Sequence, residues 1–232
     1  MRKLINTLKE KWAEYILEIL VITIGIVGAF LLNNWNENVK ANNQQKEIIS
    51  NLHEEFETNL VSLEKQITRL NKKIRACSQI QNLTGPSNKL DDAILVDTLI
   101  QRLYDNPTWN PSTYVISDLR NSGQLKSLKN ERLKELLHEW EQHYENLKEW
   151  YGFELMMYEK FVVFMNENGS ARNAMFKPAF GKSKFSNANE KLFKHPEFEN
   201  QVAHALMVTA GLQNIYQTET VELIDQLLKE TE

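Results

Sequence analysis

An apolar run near the N-terminus is the strongest pattern in the chain. It extends from Tyr15 to Trp35, and from Ile19 to Leu32 it contains no charged residue and a single threonine as its polar residue. At about 1.5 Å per residue, a helix over residues 15–32 covers roughly 27 Å, close to the hydrocarbon thickness of a bilayer, about 30 Å. The pattern therefore predicts one transmembrane helix over residues 15–35.

Two other interpretations of this run are open. Val27 and Ala29 suit the −3 and −1 positions of a signal-peptide cleavage site, although the apolar residues continue through Leu32 and lead into a further helical pattern. A buried helix of a water-soluble protein is disfavoured because the run is apolar on every face.

The flanking residues predict the orientation of the span. Aromatic residues favour the membrane interface, and cations are enriched on the cytoplasmic side. The aromatic residues at the two ends are Trp12, Tyr15 and Trp35; the cations are Arg2, Lys3, Lys9 and Lys11 before the span, and Lys40 and Lys46 after it. We therefore expect an inner-membrane protein with residues 1–14 in the cytoplasm and residues 36–232 forming a periplasmic domain.

After the span, apolar residues recur at intervals of three and four, which is typical of a helix with one buried face. This pattern predicts a helix from Asn36 to about Ile80, with a heptad seam of Leu60, Leu63, Ile67, Leu70, Ile74 and Cys77. A stop follows at residues 84–88, where Ser87 or Asn88 is a candidate cap for the next helix.

Four further helices follow in the pattern. The second carries Leu90, Ile94, Leu95, Leu99 and Leu103; a short third begins at Pro111 and is closed by Gly123. A fourth covers residues 130–168, with a seam of Leu133, Leu137, Trp140, Tyr144, Leu147 and Tyr151. A fifth begins near Pro196, with Phe198, Ala205 and Leu212 on one seam and Val202, Thr209, Tyr216 and Leu223 on another. The fold predicted is all-α: one N-terminal transmembrane helix continuing into a long helix of an antiparallel, coiled-coil-like helical bundle.

Composition narrows the function classes. With 8 Gly and 5 Pro in 232 residues, turn signals are too sparse for a β sandwich or barrel. A net charge of −4 gives no support to nucleic-acid binding. The single cysteine, Cys77, cannot form a disulfide within the chain, and it falls in the predicted heptad seam.

The motifs that suggest catalysis fail on spacing. His138 and His143 resemble an HExxH zinc motif but are five positions apart, so their imidazoles point about 140° apart on a helix. Glu135 and His138 form one Glu-x-x-His, whereas a di-iron bundle needs two. The chain also lacks a P-loop, a Gly-x-Ser-x-Gly elbow and a Gly-x-Gly-x-x-Gly loop. We expect no enzyme activity, no cofactor and no small-molecule substrate.

Two stretches resemble a known family. One comprises Glu18-Ile19, Gly25-Ile26, Ala29 and the block Asn33-Asn34-Trp35-Asn36-Glu37; the other comprises Thr113-Tyr114, the run Leu119 to Leu125 and Asn130. Together they are similar to the signatures of an uncharacterised family of Bacteroidota single-pass membrane proteins, a domain of unknown function. The chain departs from that family at Leu17 and Leu31, where the family often has Gly and Gln. The resemblance implies an inner-membrane anchor with an extracytoplasmic helical domain, and it implies no activity.

Two segments are candidate contact surfaces. Residues 153–165 are apolar on more than one face, which suits either a doubly buried helix or a surface that binds another protein. The candidates there are Phe153, Met156, Met157, Phe161 and Phe164. Residues 172–194 mix cations with phenylalanines, which suits either a solvated loop or contact with an anionic surface or partner. The candidates there are Lys177, Lys182, Lys184, Lys191 and Lys194.

Two hypotheses of function follow. In the first, the chain is a membrane-anchored scaffold or interaction protein that binds itself or another inner-membrane or periplasmic protein. Glu18, Ile22, Gly25, Ala29 and Leu32 lie on one stripe of the span, and Gly25 and Ala29 form a small-xxx-small pair of the kind that packs membrane helices. In the second, the chain is an energy-coupling or accessory subunit in which Glu18 carries a proton or ion. The scaffold is favoured because Glu18 lies only about one turn from the interface, where an acidic residue costs little.

Overall fold

The computed structural model describes residues 11–87, 90, 92–175, 181, 183–185 and 189–232, and within them it contains seven α-helices and no strand. The all-α prediction is therefore confirmed. The α-helices are α1 (Trp12–Leu83), α2 (Ala93–Leu103), α3 (Tyr114–Asn121), α4 (Glu131–Asn168), α5 (Ala171–Ala174), α6 (Pro196–Ile215) and α7 (Val221–Glu230). Two 3-10 helices cover Gln124–Ser127 and Asn189–Lys194, and a π-helical turn, Tyr216–Thr220, joins α6 to α7.

The chain divides into two units between Ser50 and Asn51. In the first, the described residues beyond Lys11 belong to α1, a helix of 72 residues in all. Its most apolar window has a mean hydropathy of 2.5, and none of that window is buried. By length and composition, it is the one helix among the described residues that can cross a membrane.

The second unit, from Asn51 onward, is an up-down bundle of four layers. The first is the C-terminal part of α1. The second consists of α2, an extended segment and α3. It runs antiparallel to α1, because Asp105 pairs with Arg69 and the later residue Val115 bonds to the earlier residue Glu55. The third is α4, parallel to α1, and the fourth is α6 and α7, which pack against α4. The second layer is therefore helical only at its two ends.

Local sequence explains where most of these helices begin and end. The Asn130 side chain accepts a hydrogen bond from Leu133 N–H at the start of α4, as the predicted boundary requires. Gly123 adopts φ +74° directly after α3, the left-handed conformation predicted for it.

Two predicted boundaries are wrong. Asp92 caps α2 by accepting from Leu95 N–H, so the predicted cap Ser87 is not used, and the other candidate, Asn88, lies outside the described residues. Pro111 lies ahead of α3, whose N-cap is Thr113. The buried face of α2 also differs from the prediction: Val96 and Ile100 are fully buried, whereas Ile94 is 81% exposed.

The π-helical turn changes the seam of the last layer. Phe198, Val202, Leu212 and Tyr216 are buried as the seven-residue spacing predicts. The seven-residue spacing then predicts Leu223, but Leu223 is half-buried and its neighbour Ile224 is fully buried. A π turn inserts one residue into a helix, and it therefore moves the buried face forward by one position.

Candidate functional site

The predicted membrane stripe lies on α1 in the first unit. Ile22 and Leu32 are more than half exposed, and a side chain added at Gly25 would meet no described atom within 4 Å. The Thr23 hydroxyl donates to the Ile19 carbonyl at 2.7 Å, so this polar side chain is satisfied within its own helix. The stripe Glu18, Ile22, Gly25, Ala29 and Leu32 is thus uncovered along its length. That these residues pack against another helix stays a prediction.

The apolar segment of α4 divides between core and surface. Phe161 and Phe164 are 6% and 2% exposed and belong to the hydrophobic core, so these two candidates are not part of a surface. Phe153 and Met156 are 54% and 40% exposed, and Met157 is half-buried. The surface that stays available to a partner is therefore smaller than the sequence suggests.

The basic segment is described only in part. Lys177 and Lys182 lie outside the described residues. Lys184, Lys191 and Lys194 are exposed. Between Lys191 and Lys194, the side chains of Leu192 and Phe193 are buried, and the Phe193 carbonyl accepts from Gly85 N–H at 2.8 Å. Contact of these lysines with an anionic surface stays a prediction.

The histidines of the HExxH-like motif have separate partners. His138 is exposed and bonds to Gln142, four positions along α4. His143 is half-buried, and its Nε2 lies 2.8 Å from the hydroxyl of Thr220. That hydroxyl donates to the Ile215 carbonyl, so the imidazole donates to it. Desolvation lowers the pKa of His143, an effect that the Glu219 charge opposes. Within the described residues, no group of three His, Cys, Asp or Glu side chains is placed to hold a metal.

A polar face of α1 holds the extended segment between α2 and α3. Asn59 makes two bonds to one residue: its Nδ2 donates to the Ser112 carbonyl at 2.9 Å, and its Oδ1 accepts from Ser112 N–H at 2.7 Å. Glu55 accepts from Val115 N–H at 2.6 Å and so caps α3 from another helix. Burial raises the pKa of Glu55, and the hydrogen bonds that it accepts oppose this effect. The apolar periodicity of the sequence does not reveal this face, because the residues that form it are polar.

Trp109 anchors the middle of that segment in an aromatic cluster. Its backbone N–H donates to the Tyr216 hydroxyl at 3.1 Å, and its indole N–H donates to Ser62 at 2.7 Å. Its ring meets Trp140 and Tyr216 edge to face. The Tyr216 hydroxyl also bonds to that of Tyr151 at 2.7 Å. Burial raises the pKa of Tyr216 strongly and that of Tyr151 to about 12, so both phenols are neutral hydrogen-bonding groups.

A buried ion pair joins α1 to α4. The Lys73 ammonium contacts Oε1 of Glu154, and the two side chains are 4% and 2% exposed. The other carboxylate oxygen, Oε2, has no hydrogen-bond partner among the described residues. Cys77 lies one turn further along α1, and burial raises the pKa of its thiol to about 11, so the thiol is protonated and inert at neutral pH.

Comparison with known proteins gives a family and no activity. The profile of a family of unknown function (DUF6090) matches residues 18–191, most of the chain, and this range includes both stretches on which the resemblance rests. Searches of curated proteins and of solved structures found no match.

Proposed function

The chain belongs to the DUF6090 family of unknown function, and from its own residues we propose that it is a membrane-anchored helical scaffold that associates with itself. One observation carries the membrane anchor of this proposal: the apolar window of α1 is uncovered on all sides. Aliphatic surface of this extent is unfavourable in water. A bilayer is the environment that suits it.

The energy of insertion supports an anchor. Leu, Ile, Val and Phe each favour insertion by about 0.3–0.6 kcal/mol, so about a dozen of them contribute roughly 4–7 kcal/mol. Glu18 opposes this, but on the same insertion scale an acidic residue costs about 2.5–3.5 kcal/mol at the bilayer centre, and Glu18 lies near the interface. The balance favours a spanning helix.

The proposed location is the inner membrane, with the N-terminus in the cytoplasm and the unit from Asn51 in the periplasm. The cation bias, Arg2, Lys3, Lys9 and Lys11 against Lys40 and Lys46, supports this orientation. A reporter active only outside the cytoplasm, fused after Glu232, should give signal. Activity only from a reporter that works in the cytoplasm would contradict the orientation.

Self-association is proposed through the face of Glu18, Gly25 and Ala29. Within a bilayer, helices are held by close packing and hydrogen bonds, and small residues allow the backbones to approach. The replacement Gly25→Ile should therefore lower the crosslinking yield of the full chain in detergent, and Ile26→Leu, on a neighbouring face, should not. Equal yields for Gly25→Ile and the parent chain would show that this face is not the interface.

Glu18 separates the scaffold from the energy-coupling alternative. Glu18→Gln keeps the shape and the hydrogen-bonding capacity of the side chain but removes its charge. A scaffold should keep its oligomer mass and its partners in this variant. A loss of proton-coupled activity in cells, with the oligomer unchanged, would favour the alternative.

The unit from Asn51 is proposed to act by binding and not by catalysis. Phe153 and Met156 on α4, and the cations Lys184, Lys191 and Lys194, are the exposed residues through which it would meet a protein partner or an anionic surface. Purification of the full chain in mild detergent, followed by identification of the proteins that accompany it, tests this directly. The variant Phe153→Ser should recover less of these proteins, because it removes an exposed ring of the contact surface without opening the core.

A further inference from the structure

The carboxylate of Glu154 is only half satisfied by its ion pair. Lys73 contacts Oε1, whereas Oε2 is buried and has no partner among the described residues. A buried carboxylate oxygen without a hydrogen bond is costly. Among the described residues, Oε2 therefore still lacks the donor that its burial requires.

A small cavity lies beside this carboxylate. It has a volume of about 10 Å³, and its wall includes Lys73, Glu154, Gln201 and Tyr158. A cavity of roughly 10–15 Å³ on this measure holds one water, which needs two to four polar partners. The wall supplies four polar side chains, so both the size and the chemistry suit a single water.

Charge decides between water and an ion. The ammonium of Lys73 and the carboxylate of Glu154 already neutralise each other. An added cation would face the ammonium and an added anion the carboxylate, each without a compensating charge. The occupant that this balance allows is neutral.

We propose that this cavity binds one long-lived water, which donates to Oε2 of Glu154 and links the ion pair of α1 and α4 to Gln201 of α6. The water completes the hydrogen bonding of the carboxylate. It also makes the buried pair a junction of three helices.

Ala205 provides the test, because it lines the cavity and packs against the hydrophobic core. In Ala205→Val the added methyl groups enter the space of the water. Ala203→Val, on the same helix and also half-buried, is the control with the same cost in helix propensity. We expect Ala205→Val to lose one long-lived internal water relative to Ala203→Val, measured by magnetic relaxation dispersion on the full chain in detergent, and to unfold at lower urea.

Either of two results in solution would overturn the proposal. An equal number of long-lived waters in Ala205→Val, Ala203→Val and the parent would show that the cavity holds none. A raised urea midpoint in Ala205→Val would show that valine fills a dry gap, since filling an empty cavity stabilises a protein. A crystal structure of the full chain gives a third readout: density within about 3.2 Å of Oε2 supports the water, and its absence among other ordered buried waters excludes it.

Discussion

Asn59 holds the extended segment of the bundle to α1 through both atoms of its side-chain amide. Alanine at this position leaves the N–H and the carbonyl of Ser112 without their partner. An unsatisfied buried group costs about 1–3 kcal/mol. Because the residue Ser112 is itself exposed, water reaches part of its backbone, and the lower value applies. We therefore expect Asn59→Ala to lower the free energy of unfolding by about 2 kcal/mol, from about 1 kcal/mol for each lost bond.

Urea unfolding of the full chain in detergent measures this change. With a urea dependence of about 2 kcal/mol per molar, the expected loss moves the midpoint by about 1 M. Tryptophan fluorescence is a suitable signal, since Trp109 and Trp140 are both buried in the neighbouring aromatic cluster.

Thr68→Ala is the matched control on the same helix. The Thr68 hydroxyl is exposed and donates only to the Glu64 carbonyl within α1, so its loss should change stability by less than about 0.5 kcal/mol. A midpoint for Asn59→Ala that equals that of Thr68→Ala would refute the reasoning, because the two bonds to Ser112 would then contribute nothing.

Three further predictions concern single residues. The folded state binds a proton at Glu55 more tightly than the unfolded state does, because the pKa of Glu55 is raised by burial. The stability that this protonation contributes is present below pH 4.5 and is lost as pH rises through the raised pKa. Glu55→Gln should flatten that part of the pH profile of the urea midpoint. His143 has the opposite sign: its lowered pKa makes the unfolding free energy fall as pH drops below 6.5, and His143→Gln should remove this slope in the same titration. Gly123→Ala should cost about 1 kcal/mol in urea unfolding, since φ is +74° and no described atom obstructs the added carbon, and Gly123→Asn should cost less.

The parts of the fold that local chemistry determines were predictable. Asn130 precedes a long amphipathic pattern and Gly169 follows it, and these two residues are the caps of α4 in the structure. The boundary of α2 was not predictable in this way, because Ser87, Asn88 and Asp92 are all competent caps. The choice depends on which face of α2 packs, and Val96 and Ile100 are buried in a core that also contains residues from α1 and α4.

Only part of the candidate site followed from the sequence. The uncovered stripe of α1 could be predicted from the sequence, because it depends on local composition. Burial of Phe161 and Phe164 depends on α6, since Phe164 stacks with Phe198. A run that is apolar on two faces does not indicate which face meets a neighbour.

The heptad of α1 shows why an apolar pattern can be placed on the wrong seam. Of the predicted seam, Leu63, Leu70 and Cys77 are fully buried as expected, whereas Leu60, Ile67 and Ile74 are only half-buried. The positions one residue before them, Asn59, Gln66 and Lys73, are also spaced by seven, and Asn59 and Lys73 are buried. Both sets repeat every seven residues, and they lie about 100° apart around the helix. Hydrophobicity alone therefore selects the apolar set, although the polar set is the more deeply buried one.

The polar set, Asn59, Gln66 and Lys73, faces the neighbouring layers because its members connect to distant parts of the chain. Asn59 bonds to Ser112, and Lys73 pairs with Glu154. Gln66, half-buried between them, accepts from Arg69, which in turn pairs with Asp105. A polar residue at a core heptad position favours the one register in which its partner is present. The partners lie 53 and 81 residues away, so the seam of α1 is specified by contacts between layers, and an apolar periodicity confined to one helix does not contain that information.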